Sequence, residues 1–257
     1  MHYVVICLAA FLTSGLTLFS GFGLGTLLLP VFALFFPVEL AVALTAVVHL
    51  GNNLFKLALL GRQADKGAVL RLGVPALPAA YLGALTLLWL ANLAPLYSYH
   101  FGGRELQVLP VKLVVAALMV VFALMEFVPA LSRLSFGGRH LVVGGVLSGF
   151  FGGLSGHQGA LRSAFLVRAG LSPEAFVATG VAVACLVDVP RVLVYGSHFS
   201  GIAYGGSRLL LAAAVLSAWA GASLGRLLLR RVTMRQVQYL VAAMLLAVAL
   251  ALGSGLI

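Results

Sequence analysis

The sequence predicts an all-α polytopic membrane protein built from two inverted repeats, each a broken, re-entrant helical hairpin followed by three transmembrane helices. Three observations predict it. Hydrophobic residues make up 62% of the 257 and charged residues 9%, with a mean hydropathy of +1.14; a soluble globular domain carries about 25% charged residues. Apolar runs recur at the length of roughly 20 residues that crosses about 30 Å of hydrocarbon. The third observation is internal repetition. Ser14 to Gly25 reads Ser-Gly-Leu-Thr-Leu-Phe-Ser-Gly-Phe-Gly-Leu-Gly, and Ser148 to Gly159 reads Ser-Gly-Phe-Phe-Gly-Gly-Leu-Ser-Gly-His-Gln-Gly.

The first apolar run, Tyr3 to Phe36, is too long for one simple crossing, and Gly21, Gly23 and Gly25 split it. Each glycine inside a helix costs about 1 kcal/mol relative to alanine, so such a cluster should break it. Pro37 ends the run. Spans follow at about Leu40–Leu60, Ala68–Leu90 and Val111–Val128. Gly61 to Gly67 is a short polar loop, and Ala91 to Pro110 a longer one. Residues 1–132 form the first repeat, 133–138 a linker, and 139–257 the second repeat. There the broken segment is Leu141–Ala169, with a half-helix starting at Gly159, and spans follow at about Ala175–Tyr195, Leu209–Gly225 and Val237–Ile257.

The copies align residue by residue. Gly15 matches Gly149 and Gly25 matches Gly159; after a one-residue shift Glu39 matches Glu174, Asn53 matches Asp188, Lys56 matches Arg191, and Gly61 matches Gly196. Such symmetry between hydrophobic halves is a signature of transporter folds. Loop charge then selects a topology. If each broken segment returns to its own side, Arg62, Lys66, Arg71, Arg133, Arg139, Arg168, Arg226, Arg230, Arg231 and Arg235 all fall inside. Only Arg104, Lys112 and Arg208 fall outside. Four simple crossings per half would put the last four of the ten on the wrong side of the positive-inside rule.

Two opposed hairpin tips at mid-membrane would enclose a cavity, the one setting where irregular backbone is tolerated at that depth. Gly159 would begin a half-helix whose free N–H groups suit an anion. Arg162 lies in its first turn, where a cation is disfavoured and expensive, so a bound oxyanion is its functional reading; snorkelling to the surface or pairing with an acid is the plainer one. Ser155, Gly156, His157 and Gln158 add donors and small residues at that tip. Ser20, Gly21, Gly23, Gly25 and Thr26 form its twin, or else simply let helices pack closely. Asn52 and Asn53 are candidates for the cavity wall. His49, Lys56, Asp188 and Arg191 could serve as a charge relay or gate, although Lys56 and Arg191 sit near span ends where snorkelling is expected, and Asp188 and Arg191 could merely pair at i,i+3.

The other signals are bland. Cys7 and Cys185 give no disulfide framework and no metal spacing. No cofactor, metal or nucleic-acid partner is expected: the net charge of +10 is mostly loop charge. Gly153-Leu-Ser-Gly156 resembles the GxSG of rhomboid intramembrane proteases, but the general-base histidine those enzymes carry on a later helix has no counterpart after His198. An anion channel is the stronger alternative.

The doubled pattern resembles the TauE/SafE sulfite-exporter family. The first copy carries Ser20-Gly-Phe-Gly-Leu-Gly25, Pro30, Ala41 to Asn53 and Gly61; the second carries Gly149, Gly152, Gly153, Gly156 and Gly159; Gly83-Ala84 and Gly221-Ala222 resemble the family's small-residue packing sites. The resemblance implies a non-enzymatic secondary carrier in a prokaryotic plasma membrane. Its expected partners are a small anion (sulfite, a sulfonate or a related organosulfur acid) and the lipid bilayer, with a homo-oligomer one arrangement open to it. His157, Gln158 and Ala164 stand where the family has more glycine and then a proline, a departure that bears on the substrate rather than on the fold.

Overall fold

A computed structural model of the chain describes residues 2–20, 23–128, 135–137, 140–199, 203–228 and 234–257. Helices α1 (His2–Ser20) and α2 (Leu24–Ala33) form the first broken segment. Pro37, in an extended conformation, starts α3 (Val38–Leu60). A single 3₁₀ turn (Gly61–Gln63) leads to α4 (Lys66–Ala91), whose first turn is capped by Asp65 Oδ1 accepting from Ala68 N at 2.6 Å. Helix α5 (Pro110–Phe127) closes the first half. The second half comprises α6 (Leu141–Ser155), α7 (Gly159–Leu166), α8 (Pro173–Phe199), α9 (Ala203–Leu228) and α10 (Met234–Gly253). Gly21, Arg133, Arg139, Arg230, Arg231 and half of the expected linker (133, 134 and 138) lie outside the described residues.

Among the described residues, three segments are long and apolar enough to cross a membrane by length and composition: Val38–Gln63, Lys66–Ala91 and Pro173–Phe199. Large apolar side chains such as Leu59, Trp89, Leu193 and Leu250 point outward, as a lipid-facing surface requires. The break between α6 and α7 is fixed at Gly156, whose φ of +82° closes α6 in the left-handed conformation that side-chain-bearing residues avoid.

Both broken segments fold back on themselves. The Gly144 position lies against Phe165, and Gly152 lies against Gln158, so α7 returns along α6. At the first segment the His2 ring stands 6.1 Å and 6.4 Å from the rings of Phe35 and Phe36 just past α2. Glycines let α6 run alongside α4 at backbone distance. A Cβ on Gly145, Gly149 or Gly153 would stand 2.1, 2.5 or 2.1 Å from the carbonyl oxygens of Leu72, Ala76 and Ala80. The rows advance together, so these helices are parallel, packed on small residues as membrane helices are.

Helices α3 and α8 run in opposite directions. His49 meets Asp188 near mid-helix, and Asp65 N, just past α3, donates to Thr179 Oγ1 at 2.9 Å. Each large contact has a counterpart when the halves are exchanged. Helix α4 packs on α6 as α9 packs on α1, and α4 lies on α8 as α9 lies on α3. A Cβ on Gly221 would stand 2.0 Å from the Phe11 carbonyl oxygen, just as one on Gly83 would stand 2.1 Å from that of Phe150.

Two sequence expectations are corrected. The long loop between Ala91 and Pro110 contains a β-hairpin, β1 (Tyr97–Phe101) paired antiparallel with β2 (Arg104–Val108). Gly102 and Gly103 supply the two positive φ values, 59° and 77°, that a two-residue hairpin turn needs. The second half-helix ends at Leu166 rather than Ala169, and Gly170 turns the chain with φ +72°.

Candidate functional site

The two tips meet at the centre of the fold. A Cβ on Gly25 would stand 3.3 Å from the Gly156 carbonyl oxygen and 3.7 Å from His49 Cδ2. Next to this contact lies a cavity of about 50 Å³ lined by Thr17, Gly23, Leu24, His49, Asn53, Lys56, Arg162, Ser163, Leu166, Phe176, Val177, Gly180 and Val181. Its walls are the end of α1, the start of α2, the second half of α3, the body of α7 and the start of α8. It therefore sits on the side of the tips nearer the Gly61–Asp65 connection.

Lys56 and Arg162 are 4% and 7% exposed, which overturns snorkelling for both. Lys56 Nζ donates to Thr17 Oγ1 at 3.3 Å, and Arg162 Nη1 donates to Gln158 Oε1 at 3.0 Å. Neither has a carboxylate within ion-pair distance among the described residues. The Gly180 position leaves room for the Arg162 side chain: a Cβ there would stand 3.4 Å from Nε.

Asp188, fully buried, is the acceptor at the hub. His49 Nδ1 lies 2.5 Å from Oδ2, Asn53 Nδ2 donates to Oδ2 at 3.3 Å, and Gln158 Nε2 donates to Oδ1 at 3.1 Å. An ionised carboxylate only accepts, so His49 Nδ1 carries the hydrogen in this pair. Arg191 Nε stands 3.4 Å from Oδ1, and its Nη1 donates to the Gly152 carbonyl at 2.6 Å. Arg191 is 0% exposed; it does not snorkel either. Tyr195 Oη donates to the neighbouring Gly153 carbonyl. Lys56, Arg162 and Arg191 against Asp188 leave a formal excess of two positive charges with the histidines neutral.

Of the residues singled out from sequence, Gly23, His49, Asn53, Lys56 and Arg162 line the cavity. Gln158 and Asp188 reach it through Arg162 and His49. Gly25, Thr26, Gly156 and Gly159 form the tips without lining it; Ser20 closes α1, and Gly21 lies outside the described residues. Asn52 faces α1, accepting from Ser14 Oγ at 2.7 Å. His157 stacks on Phe122 at 5.3 Å and 3°, with Nδ1 3.2 Å from Ser155 Oγ. Ser155 gives its own hydrogen to the Phe151 carbonyl at 3.1 Å, and His157 Nε2 has no partner among the described residues, so among these residues the pair lacks the third member of a nucleophile relay. The half-helix offers the cavity its Arg162–Leu166 face rather than its N-terminus; the helix start beside the cavity is that of α2, at Gly23 and Leu24. Thr17, Ser163 and Gly180 were not singled out from sequence, because nothing local in the chain brings them together.

No curated protein matches the sequence significantly. The family profile described as sulfite exporter TauE/SafE matches residues 6–252, nearly the whole chain. The chain belongs to the sulfite exporter TauE/SafE family.

Proposed function

We propose that this membrane protein is a secondary carrier that moves a small sulfur oxyanion, sulfite first among them, by alternating access around the two tips. The membership supports a transporter of sulfur anions. The carrying observation is the pair of buried cations, Lys56 and Arg162, that line one cavity without a carboxylate partner among the described residues. Charges inside a membrane are expensive unless paired, and a bound oxyanion offsets both. An arginine fork suits the flat edge of such an anion. An excess of two positive charges favours a species carrying up to two negative ones. A cavity of about 50 Å³ has space for a few waters or one small ion, not for a sugar or peptide.

Two inverted repeats, residues 1–132 and 139–257, provide the alternating mechanism. The opposed directions of α3 and α8 and the exchange of contacts between halves support that arrangement. In this reading the carrier works in a prokaryotic plasma membrane, with the family membership as its support. The two tips touch beside the cavity, which favours a carrier over an open anion channel. Purified protein in vesicles loaded with unlabelled sulfite tests this: radiolabelled sulfite should enter saturably and several-fold faster than into empty vesicles. Flux that rises linearly with concentration and shows no counterflow would make the protein a channel, and no flux of any sulfur oxyanion would remove the substrate class.

A further inference from the structure

Arg191 is fully enclosed, yet neither Nε nor Nη2 of its guanidinium has a hydrogen-bond partner among the described residues. Nη1 is engaged by Gly152 and Nε stands by Asp188 at ion-pair distance, which leaves Nη2. Buried polar groups are almost always satisfied, so one that is not requires a reason. Its position suggests one. A Cβ on Gly156, at the second tip, would stand 3.2 Å from Arg191 Nη1 and 3.6 Å from Nη2, while the carbonyl of Gly156 faces Gly25 of the first tip. Helix α8 presents Gly180 and Val181 to the cavity, reaches the hub at Asp188, and carries Arg191 one turn further on. Arg191 thus abuts the tip contact from the side away from the cavity.

Lys56 is its counterpart in the first copy. Lys56 bonds to Thr17 on α1, and Arg191 bonds to Gly152 on α6; each cation rests on the first helix of its own copy's broken segment. One is at the cavity and the other is sealed. In a carrier of inverted repeats, the opposite-facing state arises when the two copies exchange conformations. That exchange closes the protein over Lys56 and opens it at Arg191.

We propose that Arg191 is a second ligand for the oxyanion, engaged when the site faces the other side of the membrane, with Nη2 as the donor that meets it. This rests on the carrier reading above. Lys56 and Arg191 are then the two side-specific cations of one transport path.

The test uses the full chain with Cys7→Ser and Cys185→Ala, carrying either Lys56→Cys or Arg191→Cys. A membrane-impermeant thiol reagent is applied to the outer face in spheroplasts and to the inner face in inverted vesicles. The two cysteines should be labelled from opposite faces. An Arg191→Cys thiol that reacts from neither face, or from the same face as Lys56→Cys, overturns the proposal, because a purely structural arginine stays sealed. A second arm needs no cysteine. Arg191→Gln should lose at least tenfold in radiolabelled sulfite flux while keeping a sulfite-induced rise in melting temperature, and Arg191→Lys should recover part of the flux. Full flux in Arg191→Gln, with Arg162→Ala inactive, removes Arg191 alone; undiminished sulfite binding in Arg162→Ala removes the oxyanion site itself.

Discussion

Asp188→Asn exchanges one carboxylate oxygen for an NH2 group at the hub and should be costly. The carboxylate accepts from Asn53 and Gln158, receives the His49 Nδ1 hydrogen at 2.5 Å, and stands 3.4 Å from Arg191 Nε. Every neighbour is a donor. An amide nitrogen at the Oδ1 position would face Gln158 Nε2 and Arg191 Nε. At the Oδ2 position it would face Asn53 Nδ2 and the His49 Nδ1 hydrogen, so the Asn53 amide would have to flip and His49 to move its hydrogen to Nε2. The larger loss is charge. Arg191 would remain 0% exposed with no anion beside it, and removing one partner of a buried pair costs about 3–5 kcal/mol. For a chain of this length that is a fall of about 6–20 °C in melting temperature, measured by thermal unfolding in detergent without added anion. A saturating oxyanion should return part of the loss, because the mutant cluster carries one more uncompensated positive charge. An Asp188→Asn protein that melts within about 2 °C of the parent would refute the pairing of Asp188 with Arg191 and the charge ledger of the site.

Other substitutions probe other links. Gly149→Leu should separate α6 from α4, since even a Cβ there would stand 2.5 Å from the Ala76 carbonyl oxygen; overpacking of about 1–3 kcal/mol should appear as a lower melting temperature. Gly25→Leu should abolish sulfite flux, because the side chain would enter the space between the Gly156 carbonyl and His49; normal flux would mean that the tips do not meet during transport. His157→Phe should keep flux within about twofold, the ring on Phe122 being retained and its loss of polar contact being near 1 kcal/mol; a tenfold loss would return His157 to the site. Ser155→Ala should likewise leave flux intact, and a proteolytic activity lost in that variant would revive the protease reading.

Much of the fold is legible in the chain because glycine and proline punctuate it physically. The glycines around 23 and 156 break the two long runs, and Pro37 opens α3 where expected. The spans are recovered within a few residues: Leu40–Leu60 against Val38–Leu60 and Ala175–Tyr195 against Pro173–Phe199. That last difference had a consequence. With α8 ending at Tyr195, Arg191 reads as a near-surface cation free to snorkel; with α8 reaching Phe199 it lies eight residues inside, against α6. The β-hairpin was signalled by Tyr97-Ser-Tyr-His-Phe101 and Gly102-Gly103, but polar flanks in an apolar chain read as loop. Thr17, Ser163 and Gly180 were invisible for a different reason. They join Lys56 and Arg162 only through contacts between helices far apart in sequence, and no local periodicity encodes those.

The most direct measurement is a thermal-shift titration of purified wild-type protein and Arg162→Ala with sulfite, sulfate, thiosulfate and short sulfonates, because a ligand that binds only the folded state raises its stability by mass action. If Arg162 and Lys56 hold a sulfur oxyanion, at least one of these raises the wild-type melting temperature in a concentration-dependent way. The loss of one charge-assisted bond, about 1.5–3 kcal/mol, then moves the mutant's midpoint roughly 10- to 150-fold higher. Equal shifts in both proteins, or no shift in a stable wild type with any of the anions, would contradict an oxyanion site at Arg162.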